Sequence, residues 1–146
     1  MQLQVKRLTP TAILPVKAHP TDAGFDICAD KDITIYAGET VMVPTGLSVA
    51  IEPGYYGRLK GRSGLTAKTS LRVQEGTIDC NYRGEINVIC DLRTLSNLTL
   101  SNGYPIKRGM RIAQFIIQQL PPVDMVEVDS LDETDRGNGG FGSTGI

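Results

Sequence analysis

The sequence predicts an all-β protein of the sandwich or barrel type. Short stretches alternate apolar residues with polar or small ones, which is the two-residue period of half-buried strands. Turn residues separate these stretches at short intervals, which favours antiparallel sheets over βαβ units. With 146 residues, of which 40% are apolar and 21% charged, the chain is expected to form one soluble globular domain.

The predicted strands are spread along the chain from its start to residue 128. Their apolar positions are Leu3/Val5, Ile33/Ile35, Leu47/Val49/Ile51, Ile86/Val88, Leu98/Leu100 and Val126/Val128. Turns are predicted at Ala37-Gly38-Glu39, Pro53-Gly54, Ser101-Asn102-Gly103 and Lys107-Arg108-Gly109. We predict one short helix that starts near Ser63, its candidate N-cap, and runs through Leu65 to Leu71.

The composition excludes several functional classes. A net charge of −1 gives no general attraction to nucleic acid or to an anionic membrane, so neither is expected as a partner. The three cysteines form no CxxC pair and are expected to be free thiols. A single histidine, His19, excludes multi-histidine metal sites. Without a predicted membrane span or secretory signal, we expect a cytoplasmic protein.

The chain changes character after residue 128, and we expect a β-barrel domain over 1–128 followed by a mobile arm over 129–146. Residues 129–135 are acidic and polar, and five of the next ten are glycine. A disordered terminus without a role is one interpretation. The other is a nucleotide-binding segment, because Arg136 offers charge, Phe141 a flat face for a base, and Ser143 and Thr144 hydroxyls for phosphate.

The tail fails two familiar phosphate-binding patterns. Residues 137–142 form a formal GxGxxG, but a dinucleotide fingerprint needs a preceding strand and a following helix. A Walker A loop would need lysine where Ser143 stands. What remains is a flexible segment whose backbone N–H groups can surround phosphate oxygens.

A second candidate segment is GTIDCNYRGE, residues 76–85, which looks like a tight hairpin. It is either only a turn or a catalytic element. In the catalytic interpretation Asp79 deprotonates a water molecule while Tyr82 packs on a sugar, since a carboxylate is a competent base in phosphoryl chemistry.

Three further segments carry weaker signals. Arg62, Ser63 and Gly64 open the predicted helix, where they could bind an anion or merely cap the helix. The carboxylates of Asp22 and Asp26 flank a glycine turn, so they either hold a hydrated Mg²⁺ or make turns. Gln114 leads into an apolar strand but could also offer its amide to a phosphate.

Taken in order, these five segments resemble the five sequence motifs of the trimeric dUTPase family. The tail RGNGGFGSTG, the segment GTIDCNYRG and the stretch GMRIAQ carry most of the resemblance. VPTGL at 43–47 and EPGYYGRLKGRSG at 52–64 are also similar to family sequence. The resemblance implies a jelly-roll-like β-barrel or sandwich with one short helix and a flexible C-terminal arm, Mg²⁺ as cofactor, and hydrolysis of dUTP to dUMP and pyrophosphate.

The resemblance also implies roles for individual residues. Asp79 would activate the water that attacks the α-phosphorus, Tyr82 would lie against the deoxyribose, and Asp26 would position the water shell of Mg²⁺ held mainly by the triphosphate. The base would be read by the backbone of Gly76, Thr77, Ile78 and Asp79. The phosphates would be held by Arg62, Ser63, Gly64 and Gln114. The tail contacts would come from Arg136, Phe141, Gly142, Ser143 and Thr144, with Phe141 over the uracil.

In this family three subunits build each site, which implies a homotrimer. Three positions depart from the usual pattern: Gly61 replaces proline, Asn81 replaces aspartate, and Val73 stands where some members carry asparagine. The stretch from Arg93 to Tyr104 is slightly longer than in compact members. Rival interpretations are dCTP deaminase, a nucleotide-binding protein without activity, and a jelly-roll structural subunit.

Overall fold

The structure, a computed structural model, describes residues 2–93 and 103–140. This part of the chain forms eleven strands and one helix, α1, at Ser63–Lys68. The strands are β1 (Gln4–Arg7), β2 (Phe25–Cys28), β3 (Ile33–Ile35), β4 (Thr40–Pro44), β5 (Leu47–Ala50), β6 (Tyr55–Gly61), β7 (Leu71–Val73), β8 (Gly76–Ile78), β9 (Asn87–Leu92), β10 (Tyr104–Ile106) and β11 (Arg111–Gln119).

All strand pairs are antiparallel, as the short turn spacing predicts. The largest sheet has the order β2-β11-β6-β8, and a second has the order β4-β9-β7. Two further pairs, β1-β5 and β10-β3, complete the arrangement. The predicted all-β, jelly-roll-like fold is confirmed, with the sheets forming a sandwich rather than a closed barrel over the described residues.

The core lies between the sheets and follows the two-residue period of the strands. In β9, Val88, Cys90 and Leu92 are buried while Ile89 between them is exposed. In β11, Phe115 is fully buried, whereas the neighbouring Gln114 is only half-buried. The predicted strands around Leu3/Val5, Ile33/Ile35, Leu47/Val49/Ile51 and Ile86/Val88 are confirmed, although β1 continues to Arg7 and β9 continues to Leu92.

The predicted strand at Val126/Val128 is wrong. These side chains are 77% and 56% exposed, and their backbone forms no strand. Within residues 2–93 and 103–140 no strand pairs with them, and a lone strand without a partner is not stable. The strand predicted at Leu98/Leu100 and most of the turn at 101–103 lie outside the described residues.

The short helix is confirmed, but its predicted ends are not. The N-cap is Arg62, in extended conformation, and Ser63 is the first helical residue and makes no capping bond. The helix ends at Lys68, where the Thr69 N–H and hydroxyl both donate to the Leu65 carbonyl. Leu71, predicted to be helical, instead opens β7, because its side chain belongs to the core.

The segment 76–85 differs from the predicted hairpin. β8, which begins the segment, pairs with β6, whereas β9, which follows the segment, pairs with β4 and β7. These two strands therefore belong to different sheets. The segment therefore carries the chain across the sandwich from one sheet to the other.

The three cysteines are free, with Cys28 and Cys90 buried and Cys80 half-buried, as predicted. Burial raises the pKa of the Cys90 thiol to about 12.

The turn between β4 and β5 packs tightly against the N-terminal loop. Gly46 has φ +66°, and a Cβ at this position would lie 2.6 Å from Thr9 Oγ1 and 2.8 Å from Asp30 Oδ2. Both the backbone conformation and the space require glycine. Nearby, the Thr9 hydroxyl donates to Asp30 Oδ2 at 2.7 Å, and this hydrogen bond is the main reason why the pKa of the Asp30 carboxyl is lowered.

We expect Thr9→Val to destabilise the protein in a pH-dependent way. A carboxyl group whose pKa is lower in the folded than in the unfolded state contributes stability above its unfolded pKa of about 3.9, and loses that contribution as the pH falls through its folded pKa. The difference in unfolding free energy between wild type and variant, measured with urea, should be largest near pH 6 and should decrease below about pH 4. A difference that stays constant across this range would contradict the assignment.

Candidate active site

A cavity of about 280 Å³ lies where the segment 76–85 crosses between the two sheets. One sheet contributes Leu59 and β8, and the other contributes residues of β4 and β9. Its volume is close to the lower end of small-molecule sites in proteins. The lining residues are Met42, Leu59, Gln74, Gly76, Thr77, Ile78, Asp79, Tyr82, Glu85, Asn87 and Ile89.

Five of the lining residues were predicted from the sequence as site residues. Three of them, Gly76, Thr77 and Ile78, form β8, which is the last strand of its sheet. One side of an edge strand presents backbone N–H and C=O groups that no neighbouring strand pairs. The backbone of β8 is therefore available to hydrogen-bond a planar polar ligand.

Asp79 and Tyr82 lie on the turn that follows β8. The Tyr82 N–H donates to the Asp79 carbonyl at 3.1 Å, which closes a four-residue turn with the Asp79 side chain exposed. The two side chains thus border one cavity. An exposed carboxylate beside a cavity can accept a proton from a water molecule held there.

The Tyr82 ring is fixed at its hydroxyl end. The hydroxyl donates to the Glu85 carbonyl at 3.0 Å, and the side chain stays 43% exposed. A Cβ on Gly84 would lie 2.3 Å from the Tyr82 Oη. Glycine at 84 therefore leaves the space that the phenol occupies.

Arg62, Gln114 and Asp26 form a second group on the four-stranded sheet. Asp26 is only 7% exposed, and its two carboxylate oxygens accept hydrogen bonds from Arg62 Nε at 2.9 Å and Arg111 Nη1 at 3.2 Å. Gln114 is the cross-strand neighbour of Asp26 on one side and of Lys60 on the other. Ser63 and Gly64 are exposed at the start of α1, directly after Arg62.

The two groups do not meet within one chain. Asp26 lies on β2 and the cavity is bordered by β8, at opposite edges of a four-stranded sheet. Three strand spacings of about 4.8 Å separate these strands, or about 14 Å in total. Arg62 follows β6, which is next to β8, but Leu59 lies opposite Gly76 in this antiparallel pair, so Arg62 and Asp79 lie beyond opposite ends of it. One chain by itself thus presents a base-sized cavity and a cationic group as separate features.

The donor set fits a metal ion carried by a ligand better than a resident one. Among residues 2–93 and 103–140, no group of three or more His, Cys, Asp or Glu side chains is placed to hold a metal. Both Asp26 oxygens already accept a guanidinium hydrogen bond, although each keeps a second lone pair. Asp26 therefore fits contact through water. Asp22 makes a turn instead, accepting the His19 N–H at 2.8 Å.

The tail is described only as far as Gly140. Arg136 Nε donates to the Gly139 carbonyl at 2.9 Å, and the Gly137 N–H donates to the Thr134 carbonyl at 3.0 Å, so this stretch forms a local turn. Phe141, Gly142, Ser143 and Thr144 lie outside the described residues, and their predicted roles stay predictions.

Sequence reasoning missed six of the eleven residues that line the cavity. Met42 and Ile89 are cross-strand neighbours with exposed apolar side chains, 63% and 40% exposed, a combination that local patterns do not reveal. Glu85 lies inside the predicted segment, but the sequence indicates no role for it.

Val73 and Gly61, two departures from the family pattern, line a separate cavity of about 510 Å³ beside α1, together with Ser63.

Comparison with known proteins gives the same family throughout. The sequence profile of the dUTPase family matches residues 11–145. The chain is 46% identical over 145 residues to the deoxyuridine 5'-triphosphate nucleotidohydrolase of Nocardia farcinica, a match that covers 98% of this chain and 85% of the relative. It is 43% identical over 143 residues to the Arabidopsis thaliana protein of that name, covering 98% and 82%.

Solved structures agree. A variant of the dUTPase of Staphylococcus bacteriophage 80alpha, determined with dUpNHpp, matches with a TM-score of 0.91 and 30% identity, covering 99% of each chain. A variant of the dUTPase from phage phi11 of S. aureus, whose structure describes the coordination of a structural Mg(II) ion, matches with a TM-score of 0.80 and 27% identity, covering 89% of this chain and 98% of that one. In the described part of this chain, helices of the length and hydropathy needed to cross a bilayer are absent.

We expect Asp26→Asn to destabilise the fold, because it leaves two guanidinium groups without their buried counter-charge. The loss in unfolding free energy should be on the order of 1–3 kcal/mol, since both arginines are partly solvated. Urea denaturation measures it. Asp32→Asn is the matched control, because it removes a carboxylate from an exposed pair with Lys107 and should cost less. Equal losses would contradict a special role for the buried carboxylate.

Proposed function

This chain belongs to the dUTPase family and is a dUTP nucleotidohydrolase, and we propose that an Asp79-activated water attacks the α-phosphorus of dUTP in a Mg²⁺-dependent reaction. The products are dUMP and pyrophosphate. The activity would limit uracil in DNA and supply dUMP for thymidylate synthesis in the cytoplasm. The cavity between the sheets, with Asp79 and Tyr82 on its rim, is the observation that carries the proposal.

The edge strand β8 is proposed to bind the uracil. Its unpaired backbone groups can hydrogen-bond the polar edge of the base as another base would, with donors and acceptors at fixed positions. A site whose backbone matches one pattern leaves groups unpaired when it meets cytosine's amino pattern, and a narrow cavity has no room for thymine's methyl group. Tyr82, held at its hydroxyl, is proposed to fill the place of a ribose 2′-hydroxyl.

Asp79 is proposed to be the general base. It follows β8 directly, so a base bound along that strand would bring the sugar and the α-phosphate towards the carboxylate. Its exposed side chain can take the proton of a water molecule aligned with the phosphorus. Mg²⁺ bound to the triphosphate would neutralise charge that develops on the phosphate oxygens. Asp26 fits a contact to the water shell of that ion.

We propose that the phosphates are bound by Arg62, Ser63, Gly64 and Gln114 of another subunit of a homotrimer. The strand register supports this: Leu59 of β6 lies opposite Gly76 of β8, so Arg62 and Asp79 run in opposite directions from that pair and end about six residues, or about 20 Å, apart. None of the four residues lines the cavity. Exposed apolar side chains after β11 also favour association, because large apolar surfaces are usually covered. They are Leu120, Val123, Met125, Val126, Val128 and Leu131.

The tail is proposed to close the site of a neighbouring subunit as a mobile arm over 129–146. Phe141 would cover the uracil while Arg136, Gly142, Ser143 and Thr144 contact the phosphates. The exposure of Arg136 supports its role. Its guanidinium donates to the Gly139 carbonyl and remains exposed, so its charge is accessible to a phosphate. Closure would exclude bulk water from the reacting phosphate.

Substrate selectivity tests the proposal first. We expect purified protein with Mg²⁺ to release pyrophosphate from dUTP with a kcat/KM at least about 100-fold above that for dCTP, dTTP or UTP. Release of ammonia from dCTP would favour the deaminase alternative. Comparable rates with all four nucleotides would contradict recognition by a narrow cavity.

Asp79→Asn tests the assigned base. The amide keeps the size of the side chain but cannot accept the proton, so kcat should fall by at least about 100-fold. Binding of dUpNHpp, measured by calorimetry, should persist because β8 and Tyr82 are unchanged. A variant that binds and turns over like wild type would exclude Asp79 as the base.

Complementation tests sharing between subunits. A chain truncated after Asp135 lacks the tail, and Asp79→Asn lacks the base, so each should be nearly inactive alone. After co-refolding in equal amounts, we expect about a quarter of the wild-type rate, since each site draws its carboxylate and its tail from different chains of the mixture. A mixture no more active than its parts would show that both come from one chain.

A further inference from the structure

The cavity contains a second carboxylate besides Asp79, that of Glu85. Its Oε1 accepts the Gly46 N–H at 2.8 Å, so the group is already engaged with the protein backbone. A carboxylate used in this way is half-buried and has a fixed direction. Its place in the cavity raises the question of whether it acts on substrate or on the protein.

The backbone carbonyl of Glu85 also contacts residues that line this cavity. Its carbonyl accepts the Tyr82 hydroxyl at 3.0 Å and the Asn87 Nδ2 at 3.3 Å. Glu85 is therefore bonded through its side chain to the β4–β5 turn and through its carbonyl to Tyr82. Any movement of Glu85 would move the acceptor that holds the Tyr82 phenol.

The turn that holds Glu85 is itself rigid. Gly46 sits at φ +66°, closely surrounded by Thr9 and Asp30, and its carbonyl accepts the Leu8 N–H at 2.7 Å. Next to it, the fully buried Thr45 hydroxyl donates to the Ile86 carbonyl at 2.6 Å, and the Ile86 N–H donates to the Leu47 carbonyl at 2.8 Å. Glu85 is thus anchored to a turn that is itself packed against the interior of the domain.

We propose that Glu85 is a positioning residue that sets the discrimination between deoxyribose and ribose nucleotides by fixing Tyr82. The inference rests on the proposed function, in which Tyr82 stands where a 2′-hydroxyl would lie. The chain of contacts runs from Gly46 through the Glu85 side chain and carbonyl to the Tyr82 hydroxyl. A ring held by one hydrogen bond at its far end loses its defined place when the acceptor shifts, and small misplacements at a site have large kinetic effects.

The test compares Glu85→Ala, Glu85→Gln and Tyr82→Phe by the ratio of kcat/KM for UTP to that for dUTP. Glu85→Ala removes the acceptor for Gly46, and the ratio should rise by roughly tenfold or more. Glu85→Gln keeps an acceptor oxygen without the charge, so the ratio should return to within about threefold of wild type. Tyr82→Phe removes the bond from the other side, and combining it with Glu85→Ala should add little.

Glu39→Ala is the matched control. The Glu39 carboxylate accepts the Tyr36 N–H at 3.0 Å in the β3–β4 turn and lines no part of the cavity, so the UTP to dUTP ratio should not change. Hydrogen exchange of peptides that contain Gly46 provides a readout without turnover. Exchange there should quicken in Glu85→Ala and stay slow in Glu85→Gln.

Each other result overturns the inference. An unchanged UTP to dUTP ratio in Glu85→Ala would do so. A rise in that ratio in Glu85→Gln as large as in Glu85→Ala would do so too, because the charge of Glu85, and not its hydrogen bond to Gly46, would then set the discrimination. If Glu85→Ala does not fold, an unchanged ratio in Tyr82→Phe decides against it. Wild-type protein that fails to hydrolyse dUTP would instead overturn the proposed function, while exchange at Gly46 still reports on the contact.

Discussion

The crossing of residues 79–86 from one sheet to the other is the constraint on which the candidate site depends. Because β8 and β9 belong to different sheets, the connection between them must bridge the sandwich, and a cavity remains beneath it. The bridge is fixed at its far end by the buried hydrogen bond from Thr45 to the Ile86 carbonyl. Its near end is fixed by the pairing of β8 with β6. Asp79 and Tyr82 are carried between these two fixed points.

The same architecture explains why the chain alone looks incomplete as an enzyme. The cavity is large enough for a base, but Arg62 and Asp79 lie beyond opposite ends of the paired strands β6 and β8, and Arg62 is tied to Asp26. A cationic group and a cavity large enough for a base are both present, and we propose that association of chains brings them together. The family profile matches residues 11–145, so it covers the tail as well as the β-domain.

The sequence predicts local features well and non-local ones poorly. Alternation locates strands such as β3 and β5 because it reflects burial of one face. It cannot say which strands pair, so residues 76–85 look like a hairpin although β8 and β9 lie in different sheets. The N-cap is Arg62 rather than Ser63: its backbone is extended, and its side chain makes a tertiary contact to Asp26 that local sequence does not reveal. Glu85 carried no local signal, since its partner Gly46 lies 39 positions away.

The central claim is that the cavity beneath this crossing binds the uracil nucleotide. Titration of ¹⁵N-labelled protein with dUMP, followed by amide resonances, tests it most directly. The largest shifts are expected on the backbone of Gly76, Thr77, Ile78 and Tyr82, with little change at the β10–β11 turn. Shifts that leave β8 unaffected while dUMP binds elsewhere would contradict it.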